Sequence, residues 1–208
     1  MSSGFADPDD TAHAERTVQN LLRSSADTIS RTLEVCTSDI VRAARTIADA
    51  VRQGGKVLLC GNGGSAADCQ HMAAEFVSRL TASFPRPGIP AIALTTDTSF
   101  LTAYSNDIDF TGVFARQVDT LGSRGDVLIA ISTSGRSQNV LQAIDRASTR
   151  GLAVIALTGR DGLGDGCAAD VTIRVPADVT QHIQEAHLAI EHAICHLVER
   201  LLFDPPRE

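Results

Sequence analysis

Lysine is nearly absent from this sequence. Lys56 is the single one among 18 basic residues, and it opens an apolar run, which leaves Schiff-base chemistry without an obvious second nucleophile. Five cysteines (Cys36, Cys60, Cys69, Cys167 and Cys195) form no CxxC pair and follow no secretory leader, so a reducing, cytoplasmic setting is expected. No apolar run approaches the roughly 20 residues of a spanning helix, which argues against membrane insertion. Positive charge is also short. With 25 acidic against 18 basic residues, the net charge of -7 provides no broad cationic surface to hold nucleic acid by counterion release. Anionic small molecules are not excluded, because backbone N–H groups, hydroxyls and helix N-termini bind phosphate without entering a charge count. No repeat, low-complexity tract or linker divides the chain.

A hydrophobic content of 43% suits one core, and the expected organisation is a single domain over 13–203 with tails at 1–12 and 204–208. Apolar residues spaced at three and four predict two N-terminal helices, over about 14–33 and 39–52, ended by Gly54-Gly55. The period then changes. KVLLC, PAIALTT, DVLIAIS, AVIALT and VTIRVP are short apolar runs separated by helix-length segments, as in a parallel sheet buried on both faces. The fold class is therefore α/β: a doubly wound, five-stranded parallel sheet preceded by a helical hairpin. Further helices are predicted at about 65–80, 109–121, 137–150 and 179–202, with the proline-rich FPRPGIP as a loop.

Ligands of such sheets sit beyond the carboxyl ends of the strands. Both loops found there are suited to anions. GNGGS, after KVLLC, lets bare N–H groups approach a ligand and offers Ser65 as a helix cap. STSGRSQN, after DVLIAIS, presents Ser132, Thr133, Ser134 and Ser137 at the positive end of the next helix. Serine and glycine also make ordinary turns, but two such loops on successive strands favour a ligand. The first loop satisfies the loose G-x-G-x-x-A dinucleotide pattern as well. Against that reading, the acidic residue at the second strand's tip, Asp97, comes only after a longer helix and loop, and a second hydroxyl loop has no role with a dinucleotide.

His71 and Glu75 lie four apart on the helix leaving the first loop, so they can share one ion, although this spacing is commoner on a solvated face. On the last helix, Gln184, Leu188 and His192 form a four-residue stripe, so Gln184 and His192 can face one partner. His182, Glu185, His187, Glu191 and His196 read as outward-facing or hydrogen-bonded structural residues. Asn106 and Asp107, expected in the loop after the second strand, suit either sugar hydroxyls or a plain turn.

Taken together, CGNGGSAADCQHMAAEF, PAIALTTDTSFLTAYSND, VFARQV, GDVLIAISTSGRS, ALTGRDG and IQEAH...EH resemble, in order from about 15 to 203, the sugar isomerase (SIS) fold and within it the bacterial phosphoheptose isomerases. The resemblance implies that Ser132, Thr133, Ser134, Ser137 and Ser65 hold a sugar phosphate. Asn62, Gly63 and Gly64 would line the same pocket, and Asn106 and Asp107 would meet substrate hydroxyls. It further implies Zn2+ on His71, Glu75, Gln184 and His192, proton transfer by Glu75 and His192, and Arg79 near the substrate. The implied reaction converts D-sedoheptulose 7-phosphate to D-glycero-D-manno-heptose 7-phosphate through an enediol(ate), the first step toward ADP- or GDP-heptoses. A histidine bound to a metal cannot use that nitrogen for protons, so His192 cannot fill both roles through one atom; Gln184, a poor acid or base, tips the choice toward zinc.

Two departures bear on substrate preference: Arg136 stands where many relatives carry a small polar residue, and Thr180-Gln181-His182 where an arginine is frequent. The alternatives are a non-catalytic SIS protein that binds a replication initiator, and a sugar-phosphate sensor. The resemblance also implies a homotetramer whose N-terminal helices pack between chains and whose active sites lie between subunits. The stripe Ile40, Ala44, Ile47 and Val51 would serve either that contact or an ordinary core.

Overall fold

The computed structural model describes residues 11–164, 166, 167 and 169–204. Five parallel strands make one sheet: β1 (Val57–Gly61), β2 (Ala91–Ala93), β3 (Val127–Ser132), β4 (Ala153–Thr158) and β5 (Val171–Arg174), in the spatial order β2-β1-β3-β4-β5. In the shared register, Leu59 pairs with Ile129, and Ile129 with Ile155. The chain passes from β1 to the β2 edge and returns to add β3 on the other side of β1. The crevice between the carboxyl ends of β1 and β3 is therefore the topological switch point, where open α/β sheets bind ligands.

Alternate strand side chains point to opposite faces, and each face has its own core. Val57, Leu59, Val127, Ile129, Ile155 and Leu157 pack with α1 (Thr11–Arg52), α2 (Gly64–Val77) and α6 (Thr180–Phe203). Leu58, Cys60, Leu128, Ala130 and Val154 pack with α4 (Val113–Leu121) and α5 (Gln138–Arg150), and Phe100, Leu101 and Tyr104 of α3 (Thr98–Asp107) lean on the same cluster. The doubly wound five-stranded sheet is as the apolar runs predict.

The N-terminal hairpin is not formed. A single helix, α1, runs unbroken for 42 residues, about 63 Å at 1.5 Å per residue. No glycine or proline interrupts it, and residues 34–38, the gap between the two expected helices, continue the helix with the Thr37 hydroxyl bonded to the Leu33 carbonyl at 2.5 Å. The C-terminal half of α1 joins the core: Ala44 and Ile47 are fully buried, with Ile40 and Val51 packed beside them. That stripe is core. The preceding turns leave Val18, Leu21, Leu22 and Leu33 exposed.

The segment expected as one helix over 109–121 begins instead with a short 3-10 turn, Phe110–Gly112, before α4. Ahead of it stands α3, capped by the Asp97 carboxylate accepting from Phe100 N–H at 3.0 Å. The expected tails fall mainly on residues 1–10 and 205–208, outside the described residues; Thr11 and Ala12 already belong to α1.

Candidate active site

The first loop is shaped by glycine. Gly63 takes φ 56°, in the left-handed region, and stands at the N-cap of α2, where its carbonyl accepts from Ala66 N–H and Ala67 N–H at 3.1 and 3.2 Å. Ser65, expected as the cap, is already the second residue of the helix and is buried. The left-handed glycine starts the helix earlier than a capping serine would. A Cβ on Gly64 would run into the Gln184 side-chain amide, 2.8 Å from Cδ, so α6 packs directly on this loop.

In the second loop, Ser132 Oγ and Ser137 Oγ are hydrogen-bonded at 3.2 Å, and Ser134 Oγ accepts from Arg136 N–H at 3.2 Å. The loop rests on its neighbour: Thr133 carbonyl accepts from Gly159 N–H and Gly135 carbonyl from Gly164 N–H, both at 3.0 Å. Ser137 occupies the N-cap of α5 without a side-chain capping bond. The two loops are joined by a reciprocal amide pair. Asn62 Nδ2 donates to Asn139 Oδ1 and Asn139 Nδ2 to Asn62 Oδ1, each at 2.9 Å, and Asn139 is buried. Thr133 and Ser134 also line a cavity of about 250 Å³ with Arg136, Arg160, Thr180 and Ile183. Arg136 is bound to Asp161 at 2.9 Å with both side chains exposed.

Helices α2 and α6 then bring the chemistry together. His71 Nε2 and His192 Nε2 are 2.8 Å apart, their rings edge to face with centroids at 5.1 Å. Glu75 Oε1 lies 3.9 Å from His71 Nε2, while Glu75 Oε2 is buried without a hydrogen-bond partner. Burial pushes the Cys195 thiol on α6 upward, and the Glu191 and Glu75 carboxylates add to the shift, which places Glu75 beside α6. Two neutral imidazoles meeting through Nε2 must hold opposite tautomers there, or turn both lone pairs toward a shared cation. Among the described residues no three His, Cys, Asp or Glu side chains are gathered closely enough to hold a metal ion by themselves. The two imidazoles and the orphaned Glu75 oxygen nevertheless have the chemistry of a zinc donor set, and the Gln184 amide stands where α6 meets the first loop.

Comparison with known proteins identifies the family. The SIS domain family model matches residues 21–159. The phosphoheptose isomerase of Roseiflexus sp. (strain RS-1) is 49% identical over 189 residues, covering 91% of this chain and 95% of that protein. That of Halorhodospira halophila is 47% identical over 188 residues, covering 89% and 92%. The structure of the Neisseria gonorrhoeae phosphoheptose isomerase superposes with a TM-score of 0.81 at 42% identity, over 89% of this chain and 98% of that one. The chain belongs to the phosphoheptose isomerase family of SIS-domain proteins.

Not every position expected to act in a phosphoheptose isomerase joins the site in this chain. Asn106 and Asp107 lie in the last turn of α3, not in a loop; they are exposed, and the Asn106 amide donates to Asp107 Oδ1 at 2.7 Å. Arg79 is exposed beyond the end of α2, which stops at Val77 and not near Leu80. Glu75 and His192 need no second chain to approach, since α2 and α6 of one chain already bring His192 onto His71.

Of the α6 residues expected to be outward-facing or hydrogen-bonded, His182 and His187 are buried and hydrogen-bonded, whereas Glu191 is buried without a partner; the Arg86 and Glu199 pair was missed by sequence reasoning. His187 and Glu191 face inward on α6: His187 Nε2 donates to the Thr158 carbonyl at 3.2 Å and burial lowers its pKa to about 4, while Glu191 has no partner and burial, with Asp68 second, raises its pKa to about 9. His182, also buried, is bonded to Glu185 at 2.9 Å. Arg86, in the loop read only as proline-rich, pairs with Glu199 at 2.7 Å. A charge between two prolines was the available signal, but its partner is 113 residues away.

Proposed function

We infer that the protein is an aldose-ketose isomerase that converts D-sedoheptulose 7-phosphate to D-glycero-D-manno-heptose 7-phosphate. The observation that carries this is the meeting of His71, Glu75 and His192 within one chain, next to two glycine and hydroxyl loops bridged by Asn62 and Asn139. Family relatives of this activity align over most of the chain.

The loops supply what a phosphomonoester needs: N–H groups and the Ser65 hydroxyl at the start of α2, and the hydroxyls of Ser132, Thr133, Ser134 and Ser137 ahead of α5. Holding the phosphate at one end fixes the sugar's C1 and C2 against the imidazole cluster. Glu75 takes the C1 proton while the C2 carbonyl oxygen gains a proton and O1 gives one up. Glu75 then returns the carbon-bound proton to C2, leaving an aldehyde at C1 and an alcohol at C2. A base must serve both carbons, and a carboxylate two residues from a helix end, with one oxygen unpartnered, fits that demand. His71, Glu75, Gln184 and His192 are the residues that would hold zinc, whose chemistry when bound is Lewis-acid stabilisation of developing oxyanion charge. Where His192 keeps its Nε2 free of metal, its ring supplies the proton exchanged at oxygen.

Two broader features belong to the same proposal. The exposed apolar residues Val18, Leu21, Leu22 and Leu33 of α1 support a homotetramer in which these helices are covered by other chains. Five free cysteines, four of them buried, and no described helix long and apolar enough to cross a membrane suit the cytoplasm. A non-catalytic SIS protein is the weaker reading, because a binding module has no use for the unpartnered Glu75 oxygen beside an imidazole pair. Glu75→Gln is expected to bind the substrate with unchanged affinity by calorimetry and to lose turnover by at least about 1000-fold; full turnover would remove Glu75 from the reaction.

A further inference from the structure

Glu75 occupies a position that helices hold badly. It lies two residues before the end of α2, in the turn whose carbonyls have no intrahelical donors and which ordinarily frays. In this chain that turn is gripped from outside. Arg86 donates from Nη2 to the Glu75 carbonyl at 2.7 Å, from Nη1 to the Phe76 carbonyl at 2.7 Å, and from Nε to Glu199 Oε1 at 2.7 Å. Glu199 Oε1 also accepts from Leu80 N–H at 2.9 Å, just past the helix end, and Ile89 N–H donates to the Phe76 carbonyl at 2.9 Å. The pair is sealed from water, with side chains 1% and 2% exposed. Arg86 also lies between Pro85 and Pro87, whose fixed φ angles stiffen the loop that delivers it.

Glu199 is on α6, seven residues and two helical turns beyond His192, so both project from about the same face. The two helices are thus joined at two points. One is the imidazole pair; the other is the guanidinium, which touches both helices and neutralises the negative end of α2.

We propose that Arg86 is a positioning residue for the isomerisation, fixing the last turn of α2 to α6 through Glu199 so that the Glu75 carboxylate keeps its place beside His71 and His192. The inference rests on the isomerase reading of the site. Arginine is required by geometry: three acceptors in different directions are met by three nitrogens of one planar fork, whereas lysine offers a single nitrogen. Displacing a base by about 1 Å is enough to cost on the order of 100-fold in rate, while the phosphate loops, more distant along the sheet, keep their grip on substrate.

The test is steady-state kinetics of Arg86→Lys and of Glu199→Ala and Glu199→Gln on sedoheptulose 7-phosphate, with each rate normalised to folded chain by circular dichroism. Wild-type turnover in the same assay separates the two claims: an inactive parent protein would sink the isomerase reading and this proposal with it, whereas an active parent whose variants keep full kcat would sink this proposal alone. Arg86→Lys is expected to lower kcat by at least 10-fold with KM changed less than about twofold. Glu199→Gln, which keeps an acceptor for Arg86 Nε and Leu80 N–H, is expected to recover at least 10-fold in kcat over Glu199→Ala. A purely structural ion pair would reduce the folded fraction and leave kcat per folded chain unchanged; that outcome, or a loss confined to KM, overturns the proposal. Should Arg86→Lys not fold, the Glu199 pair decides by itself, and equal kcat in the two variants overturns it as well.

Discussion

His71 on α2 and His192 on α6, 121 residues apart in sequence, point their Nε2 atoms at each other across 2.8 Å. Two ring nitrogens at that separation either share one proton or accommodate a cation between them after a small opening. With the Glu75 carboxylate 3.9 Å from His71 Nε2, the second state suits zinc, whose bonds to imidazole nitrogen are about 2.0–2.1 Å. The purified protein is expected to carry about one zinc per chain by plasma mass spectrometry. His71→Ala should lower that content at least 10-fold, and a chelator should abolish turnover in the parent. Full activity with no metal detected would leave His192 as the sole electrophile.

The Asn62 and Asn139 amides form a closed pair, so each loses both bonds when the other is removed. Asn139 lies inside α5, and its value is in setting the distance between the two anion loops. At about 1 kcal/mol for each of the two bonds, Asn139→Ala should weaken sugar-phosphate binding roughly 30-fold, seen as a raised KM with kcat less affected. Asn139→Asp should behave like the alanine variant, because a carboxylate accepts from Asn62 Nδ2 but leaves Asn62 Oδ1 unmatched. An unchanged KM in both would detach the pair from the phosphate site.

His187 gives the fold an acid sensitivity separate from the reaction. Burial lowers its pKa from 6.5 to about 4, so below pH 6.5 the unfolded chain binds a proton that the folded chain refuses. Stability should therefore fall as pH drops from 6.5 to 4, by up to about 1.4 kcal/mol per pH unit from this group. In His187→Gln, which can still donate to the Thr158 carbonyl, urea unfolding at several pH values should show a flatter dependence over that window. Equal slopes in the two proteins would contradict a buried neutral imidazole.

The exposed apolar residues of α1 offer a test of assembly. Replacing Leu22 and Leu33 by glutamate should shift the protein to a smaller species in sedimentation, with little loss of chain stability because neither side chain is buried in the chain. An unchanged sedimentation coefficient would place the subunit contact elsewhere.

Much of this architecture was legible in the sequence, for identifiable reasons. Short apolar runs mark strands, and all five appear where those runs are, with β1, β3 and β4 buried along nearly their whole length. The two loops were legible because glycine and serine cluster where strands end. His71, Glu75 and His192 were legible only as helix spacings, since the contact that unites them is made by tertiary packing of α2 on α6. A hairpin is expected from the break in apolar spacing after Leu33, but no glycine or proline in 11–52 interrupts the backbone ladder, and packing of the later turns on the core carries one helix through. The Arg86–Glu199 pair and the burial of Glu191 were invisible for a related reason: a charged residue's burial depends on what folds over it. Asn106 and Asp107 stay in solvent in the single chain, where only another subunit or a substrate would give them a role.

The most direct measurement follows sedoheptulose 7-phosphate by proton NMR in D2O with the purified protein, with and without added zinc. The account predicts anomeric signals of D-glycero-D-manno-heptose 7-phosphate at a rate dependent on enzyme, with deuterium entering at C2 of the aldose as Glu75 exchanges its proton with solvent. Neither aldose formation nor deuterium exchange at C1 of the ketose, from a folded and zinc-loaded protein, would contradict it.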